Sequence, residues 1–446
     1  MAALVAATLA TPVRADIIVV PAGDANLQSI LDGAAPGDVV RLQSGDHAGP
    51  LTIDTSLAIE GEPGARVIGN GKGSVITVSA PGAVVRHLEI RGSGTDLATP
   101  DAGVYVEKTA TGARVEDNLI VGNLSGIVLH GAVDSLASGN RIVGIREGRM
   151  TDAGNGVSVW NAPGAKVTGN DISFGRDGIF STASKRNVFS KNVFRSVRFA
   201  VHYMYTNDGE ISDNFSTGNA AGYAIMYSKR LRIIGNVSDG DRDHGLLLNY
   251  ANGSEISGNV VRGRAQPAER WRSAGKQSGE HGVPADDAAP ADADLMRTGP
   301  EKCVFMYNAN HNRFTDNLFE GCAIGIHFTA GSEGNAMSAN AFVGNRNQVK
   351  YVGTRYLDWS DGGRGNYWSD NPAFDLNGDG IGDNPYRPND LVDQVLWTAP
   401  QAKVLINSPA VQVIRWAQTQ FPALLPGGVV DNHPLMAPPH PGQLIQ

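Results

Sequence analysis

The chain has 446 residues, a formal net charge of −8, 55 glycines and only two cysteines. Its acidic balance offers no basic footprint for a nucleic-acid duplex or an anionic bilayer surface. No apolar run reaches the ~18–20 residues that a spanning helix requires, so no transmembrane segment is expected.

At the start, Ala2 to Ala10 is a short apolar stretch, and Val13-Arg14-Ala15 supplies a small-residue cleavage site before Asp16. Residues 1–15 therefore read as a signal peptide, although the basic n-region is missing, and the mature protein is expected in the periplasm. Residues 16–52 read as an N-terminal cap. They hold the short amphipathic segment Asn26 to Leu31, followed by Gly37-Asp38-Val39-Val40-Arg41-Leu42. A solenoid end exposes unpaired strand edges, so a polar-faced cap is physically required.

From 53 to 352 an asparagine recurs. Asn118, Asn140, Asn170, Asn192, Asn214, Asn236, Asn259, Asn317 and Asn340 each close a motif such as Glu-Asp-Asn or Thr-Gly-Asn. The steps are 22, 30, 22, 22, 22, 23, 58 and 23 residues, and the phase resumes after each long one. A fixed period of this size marks a solenoid, here of about ten coils. An apolar residue stands three positions before most of these asparagines (Val115, Val167, Phe189, Ile211, Ile233, Ile256, Phe314, Met337). A small residue and then period-two alternation follow about nine positions later, as in Gly126-Ile127-Val128-Leu129 and Gly245-Leu246-Leu247-Leu248. Short strands joined by tight bends fit this pattern. The predicted fold is all-β, a right-handed parallel β-helix with an N-terminal cap, an inserted flap and an irregular C-terminal cap. Its handedness follows from known examples of the fold.

Three insertions interrupt the period: eight residues between Asn140 and Gly156, two between Asn214 and Ala224, and about 36 between Asn259 and Cys303. The last, residues 264–300, is polar and Pro/Ala-rich, and reads as a flap. All three leave the body at one corner, and loops clustered on one edge of a scaffold commonly border a binding site. Cys303 and Cys322 fall on neighbouring coils about three residues out of register. That placement is compatible with a disulfide or with two buried thiols.

Residues 353–446 follow no coil period and read as a C-terminal cap and tail. Within them Asp375, Asn377, Asp379 and Asp383 space oxygen ligands around turn-forming glycines, like the first half of a Ca²⁺ loop. The closing bidentate Glu is absent, and a metal-free loop of Asx turns fits the same residues. Val411 to Pro422 has helical spacing, suiting a cap or a docking helix.

Columns through the coils expose a candidate site. If Ile179, Val201 and Ile225 point inward, then Phe180, His202 and Met226 point outward in one column, with Met204 two residues beyond His202. Coils stack about 4.8 Å apart, which places His202, Met204 and Met226 within one ligand sphere. Imidazole and thioethers form a soft set suited to Cu(I). An apolar strip beneath the flap is the plainer reading of the same residues. His244, beside Asp243, and His327, in the outward column, are weaker candidates, while Met306 reads as core.

Several stretches together resemble the NosD family: the asparagine-marked coils, Phe199-Ala-Val-His-Tyr-Met-Tyr205, Gly222-Tyr-Ala-Ile-Met-Tyr-Ser228, Asn366-Tyr-Trp-Ser-Asp and Asp375 to Tyr386. The resemblance runs from about Asp16 to Met436. It implies a periplasmic, non-enzymatic accessory protein for maturation of nitrous oxide reductase. Its implied partners are an ABC-type membrane permease and ATPase, a copper chaperone and the reductase. The family's signature does not identify the metal ligands, so His202, Met204 and Met226 rest on the column argument. No G-x-x-x-x-G-K-[ST] loop occurs, so ATP hydrolysis would belong to a partner.

The alternative is a carbohydrate-active or polysaccharide-binding β-helix, such as a uronate lyase or epimerase, since fold alone does not choose. Asp241-Arg242-Asp243-His244 superficially offers an acid, a cation and a base. Trp160, Phe180, Phe305 and Tyr307 would be a sugar-binding strip. Hydrolysis needs two facing carboxylates ~5–10 Å apart, and the outward columns contain almost none.

Overall fold

A computed structural model describes residues 15–439 except 147–149, 267–296, 330, 354, 406–407 and 421–426. All but the last residue of the 1–15 leader, and the body of the 264–300 flap, lie outside the described residues. The base of that flap is described: Arg264–Gln266 pairs antiparallel with Arg297–Gly299.

Three parallel sheets of thirteen, twelve and thirteen strands run the length of the molecule, each strand pairing with its counterpart one coil away. The solenoid is thus longer than the expected ten coils. Parallel pairing begins at Ile17 with Val39 and continues to Ala341 with Tyr367. Segments read as cap and tail therefore carry rungs of their own: those of the cap lack the asparagine signature, and that of the tail follows Asn366. The helix Leu27–Gly33 buries Leu27 and Leu31 into the first end of the core. At the other end Phe342, Trp368 and Trp359 stack over the last coil, with Phe342 and Trp368 centroids 4.3 Å apart.

The asparagine column explains the repeat. At each corner the residue before the asparagine adopts a left-handed backbone: Asp117 at φ 53°, Gly169 at 66°, Asp213 at 54°, Asp316 at 57°. Glycine and aspartate tolerate that region best, hence the recurring Gly-Asn and Asp-Asn pairs. Such a corner buries a backbone N–H that no strand neighbour accepts, and the next coil's asparagine supplies the missing oxygen. Asn170 donates its backbone N–H (3.0 Å) and its Nδ2–H (2.9 Å) to Asn192 Oδ1. The second Nδ2 hydrogen goes to the Ala137 carbonyl at 3.0 Å. This relay continues to Asn366, where the Asp431 carboxylate accepts the terminal N–H at 2.7 Å.

Cys303 and Cys322 form a disulfide. Met306 faces inward, 1% exposed. Pro409–Gln420 is helical, and its Val413, Ile414 and Trp416 are exposed.

Candidate functional site

The outer face of the twelve-stranded sheet carries the site. Strand Phe199–Met204 pairs with Ala221–Met226, placing Val201 opposite Tyr223, His202 opposite Ala224 and Met204 opposite Met226. The expected column is therefore corrected by two residues: Met226 stacks on Met204, and Ala224 lies over His202. The small corner residue of this coil is Gly222, not Ala224, and the two-residue insertion before Ala224 does not exist. Tyr223, inward and 1% exposed, disguises the register, because an aromatic occupies a place held by Val, Ile or Leu on neighbouring coils.

His202 is outward in register yet only 7% exposed. Phe180 and Phe199 each lie 5.0 Å from its ring. Its Nδ1 is 2.9 Å from Asp177 Oδ2. Arg198 clasps the same carboxylate through Nε (2.9 Å) and Nη2 (2.8 Å). Both residues leave the corner just before the strand, one coil apart. Burial works to raise the Asp177 pKa, but hydrogen bonds from His202 and Arg198 outweigh it and hold the carboxyl below its usual range.

With Nδ1–H donated to Asp177, a neutral His202 presents its Nε2 lone pair. That atom is buried and has no hydrogen-bond partner among the described residues. A buried acceptor left open is uncommon, because burial of an unpaired polar atom is costly. Beside it, Met204 and Met226 are partly exposed, and Met226 packs on an outer apolar cluster of Phe199, Ala221, Ala224 and Leu247. No group of three His, Cys, Asp or Glu side chains is placed to hold a metal among the described residues. An imidazole nitrogen with two thioethers remains a fitting Cu(I) set, and an Nδ1–carboxylate bond is the usual partner of a metal-bound histidine.

The other candidates are separated from this centre. Along the column, Leu247, Phe305 and His327 follow Ala224 on successive coils. His244 and His327 each contact Phe305, at 5.5 and 5.2 Å. Burial, together with Lys350 and Lys302, pushes the His327 pKa down to about 4, so it is neutral at pH 7. Asp241 is in the core rather than on the surface, bonded to Ser216 and Ser238, while Arg242 pairs with Asp243. The acid–cation–base set read from Asp241 to His244 therefore does not assemble on one face. Trp160 and Phe180 line a cleft of about 350 Å³ with His130 and Arg176, whereas Phe305 and Tyr307 lie further along the solenoid.

In the 375–383 loop the side-chain oxygens accept backbone N–H groups. Asp375 takes Gly378 (2.6 Å) and Gly380 (2.8 Å), Asn377 takes Asp379 (2.9 Å), Asp379 takes Ile381 (2.8 Å) and Asp383 takes Leu376 (2.8 Å). These Asx-type bonds account for the loop's shape without a cation.

Sequence reasoning missed Asp177 and Arg198. Their signal was available: carrying the column count one corner back from the strand brings both beside His202. It also missed a row of exposed tyrosines at the strand's far end, where Tyr205, Tyr227 and Tyr250 stack at 5.0 Å intervals.

Comparison with known proteins adds to this geometry. The NosD family model, described as a periplasmic copper-binding protein, matches residues 144–373. A relative from Stutzerimonas stutzeri, described as a probable ABC transporter binding protein NosD, is 40% identical over 400 residues, covering 90% of this chain and 87% of its own. One from Pseudomonas aeruginosa with the same description is 40% identical over 89% and 88%. Among solved structures, the Dettilon tailspike protein aligns at TM-score 0.54 with 15% identity, over 75% of this chain and 68% of that one. The DFA-IIIase of Arthrobacter chlorophenolicus aligns at 0.51 with 14% identity, over 76% and 96%. At such identities these two share the fold alone.

Proposed function

Because the chain belongs to the NosD family, we propose that it is a periplasmic accessory protein that takes up Cu(I) and passes it on for maturation of nitrous oxide reductase. It does so beside an ABC-type permease and ATPase. The carrying observation is the buried, open Nε2 of His202, oriented by Asp177 and set beside the Met204–Met226 pair. Thioethers with one imidazole bind Cu(I) without the deep trap of paired thiolates, which suits a carrier that must release its cargo. Both cysteines are already joined in the disulfide and do not compete for the ion.

Competition of the purified protein against a chromogenic Cu(I) chelator tests the proposal. One equivalent bound by the wild type and lost on replacing Met204 and Met226 is expected. Absence of Cu(I) binding by the wild type would sink it. The runner-up, a glycan-binding protein, draws on the Trp160 cleft. An oligo-uronate binding and turnover assay run on the same preparation would favour it if positive. N-terminal sequencing of exported protein, expected to begin near Asp16, tests the periplasmic location.

A further inference from the structure

Directly after Met204, Met226 and Asn249 in sequence come Tyr205, Tyr227 and Tyr250, one on each of three successive coils. Their rings stack at 5.0 Å with interplanar angles of 14° and 9°, and Tyr307 closes the row edge-on at 5.8 Å. All four are exposed, by 39 to 54%. The first three also hold φ of +46°, +50° and +51°.

The corner itself does not ask for tyrosine. The same column holds Gly131, Asn161 and Ala183 on earlier coils and Asn308 on a later one, all at positive φ. Glycine and asparagine are at ease there, whereas a bulky aromatic is an outlier. Three consecutive coils thus place exposed, mutually stacked aromatic surface at a corner that smaller residues fill elsewhere, next to the two thioethers. Exposed aromatics gathered in one place point to use rather than to folding.

The ground beside the row is basic. Lys185, Asn207, Lys229 and Asn252 form the adjoining column, and Arg186, Asp208 and Arg230 the next. Arg230 pairs with Asp208 at 2.5 Å, while Lys185, Arg186 and Lys229 are exposed and make no ion pair among the described residues. In a chain of net charge −8 this is a local reversal of sign.

Resting on the copper reading above, we propose that Tyr205, Tyr227 and Tyr250, flanked by Lys185, Arg186 and Lys229, are the docking surface for a protein that exchanges Cu(I) with the methionine pair. Transfer by ligand exchange needs the partner's own ligand within bonding distance of the thioethers, so the partner must sit on the surface adjoining them. Face-stacked rings present their electropositive edges and hydroxyls, which suit backbone carbonyls and carboxylates, and the cations fit an acidic rim. Rigid aromatics of this kind are the usual anchors of an interface.

The test uses Tyr205→Asn/Tyr227→Asn/Tyr250→Asn, since Asn161 and Asn308 already show that the corner accepts asparagine. The purified variant should unfold no earlier than wild type and keep its Cu(I) affinity in chelator competition. In cells lacking the native copy, reductase copper content should fall at least about five-fold, and Lys185→Glu/Lys229→Glu should act likewise. A photo-crosslinking residue at position 227 should capture a protein that carries copper. Full maturation by the tyrosine variant, loss of its own Cu(I) affinity, or capture of the permease instead would each overturn the docking role. A wild type that binds no Cu(I) would instead refute the copper reading itself.

Discussion

Asp177 Oδ2 and His202 Nδ1 meet at 2.9 Å across 25 residues of sequence, and Arg198 holds the same carboxylate from its other side. The contact fixes which imidazole nitrogen is bound and which is offered. It also ties the candidate ligand to a buried ion pair, so copper affinity and local stability are coupled.

Asp177→Asn should therefore show both effects. Removing the charge weakens the two charge-assisted hydrogen bonds from the buried Arg198 guanidinium, at a cost of about 1.5–3 kcal/mol. Loss of the carboxylate behind a metal-binding histidine lowers metal affinity by ~10–100-fold. Urea unfolding and chelator competition measure the two, and a variant unchanged in affinity would separate His202 from the metal. The pH sign follows from the depressed Asp177 pKa. Its contribution is fully present above the unfolded value near 4 and is lost as pH falls through the lower folded value. Acid unfolding should accordingly deepen below about pH 4 in the wild type and lose that component in the variant.

Replacing Met204 and Met226 with alanine should separate function from fold. Both side chains are partly exposed on the outer face, so the expected cost is about 1 kcal/mol or less each. Cu(I) binding should nonetheless fall below detection in the competition assay. His202→Ala is different: it is not the harmless surface change that an outward position suggests, since His202 is only 7% exposed and its loss takes one of two partners from the buried Asp177 carboxylate. A double-methionine variant that unfolds like wild type yet still binds Cu(I) would identify the pair as packing.

The sequence made the solenoid legible because its period is enforced by chemistry at one corner: a left-handed residue, then an asparagine whose oxygen serves the neighbouring coil. Where that chemistry is absent the reading faltered. The rungs within residues 16–52 carry no such asparagine, and the last, Tyr367–Trp368, follows Asn366, where the Asp431 carboxylate ends the relay, so both stand outside the period and read as caps. Tyr223 breaks the aliphatic pattern of its column and so shifts the expected place of Met226 by two residues. The site was legible only in part, since outward parity predicts exposure for His202, whereas Phe180, Phe199 and the Asp177–Arg198 pair bury it.

The asparagine relay should be unforgiving at its centre. Asn192→Ala removes the oxygen that accepts both N–H groups of Asn170 and the amide that serves Val167 and Asn214. Each buried group left unpaired costs about 1–3 kcal/mol, so a loss of roughly 3–5 kcal/mol is expected. Chemical denaturation checks it, and the signal should be much smaller for an exposed neighbour such as Lys191→Ala.

Asp241 offers the opposite case, a substitution expected to stabilise. Its side chain is fully buried between coils, accepting the Asn219 N–H at 2.9 Å and the hydroxyls of Ser216 and Ser238 at 2.6 Å each. Burial raises its pKa to about 6, against the partial relief of those hydrogen bonds. Between the ordinary value near 4 and 6 the folded protein holds a proton that the unfolded chain has released, so stability falls as pH rises through that window. Above it the ionised carboxylate costs about 3 kcal/mol, two pKa units converted at 1.36 kcal/mol each. Asn219, one coil back, already presents an oxygen to the Val197 N–H and an amide to Ser216, so an amide suits this row. Asp241→Asn should therefore raise unfolding free energy at pH 7.5 and flatten its pH dependence between 4 and 6. Denaturant titrations at several pH values read both, and a variant less stable at pH 7.5, or one that keeps the slope, would place the titrating group elsewhere.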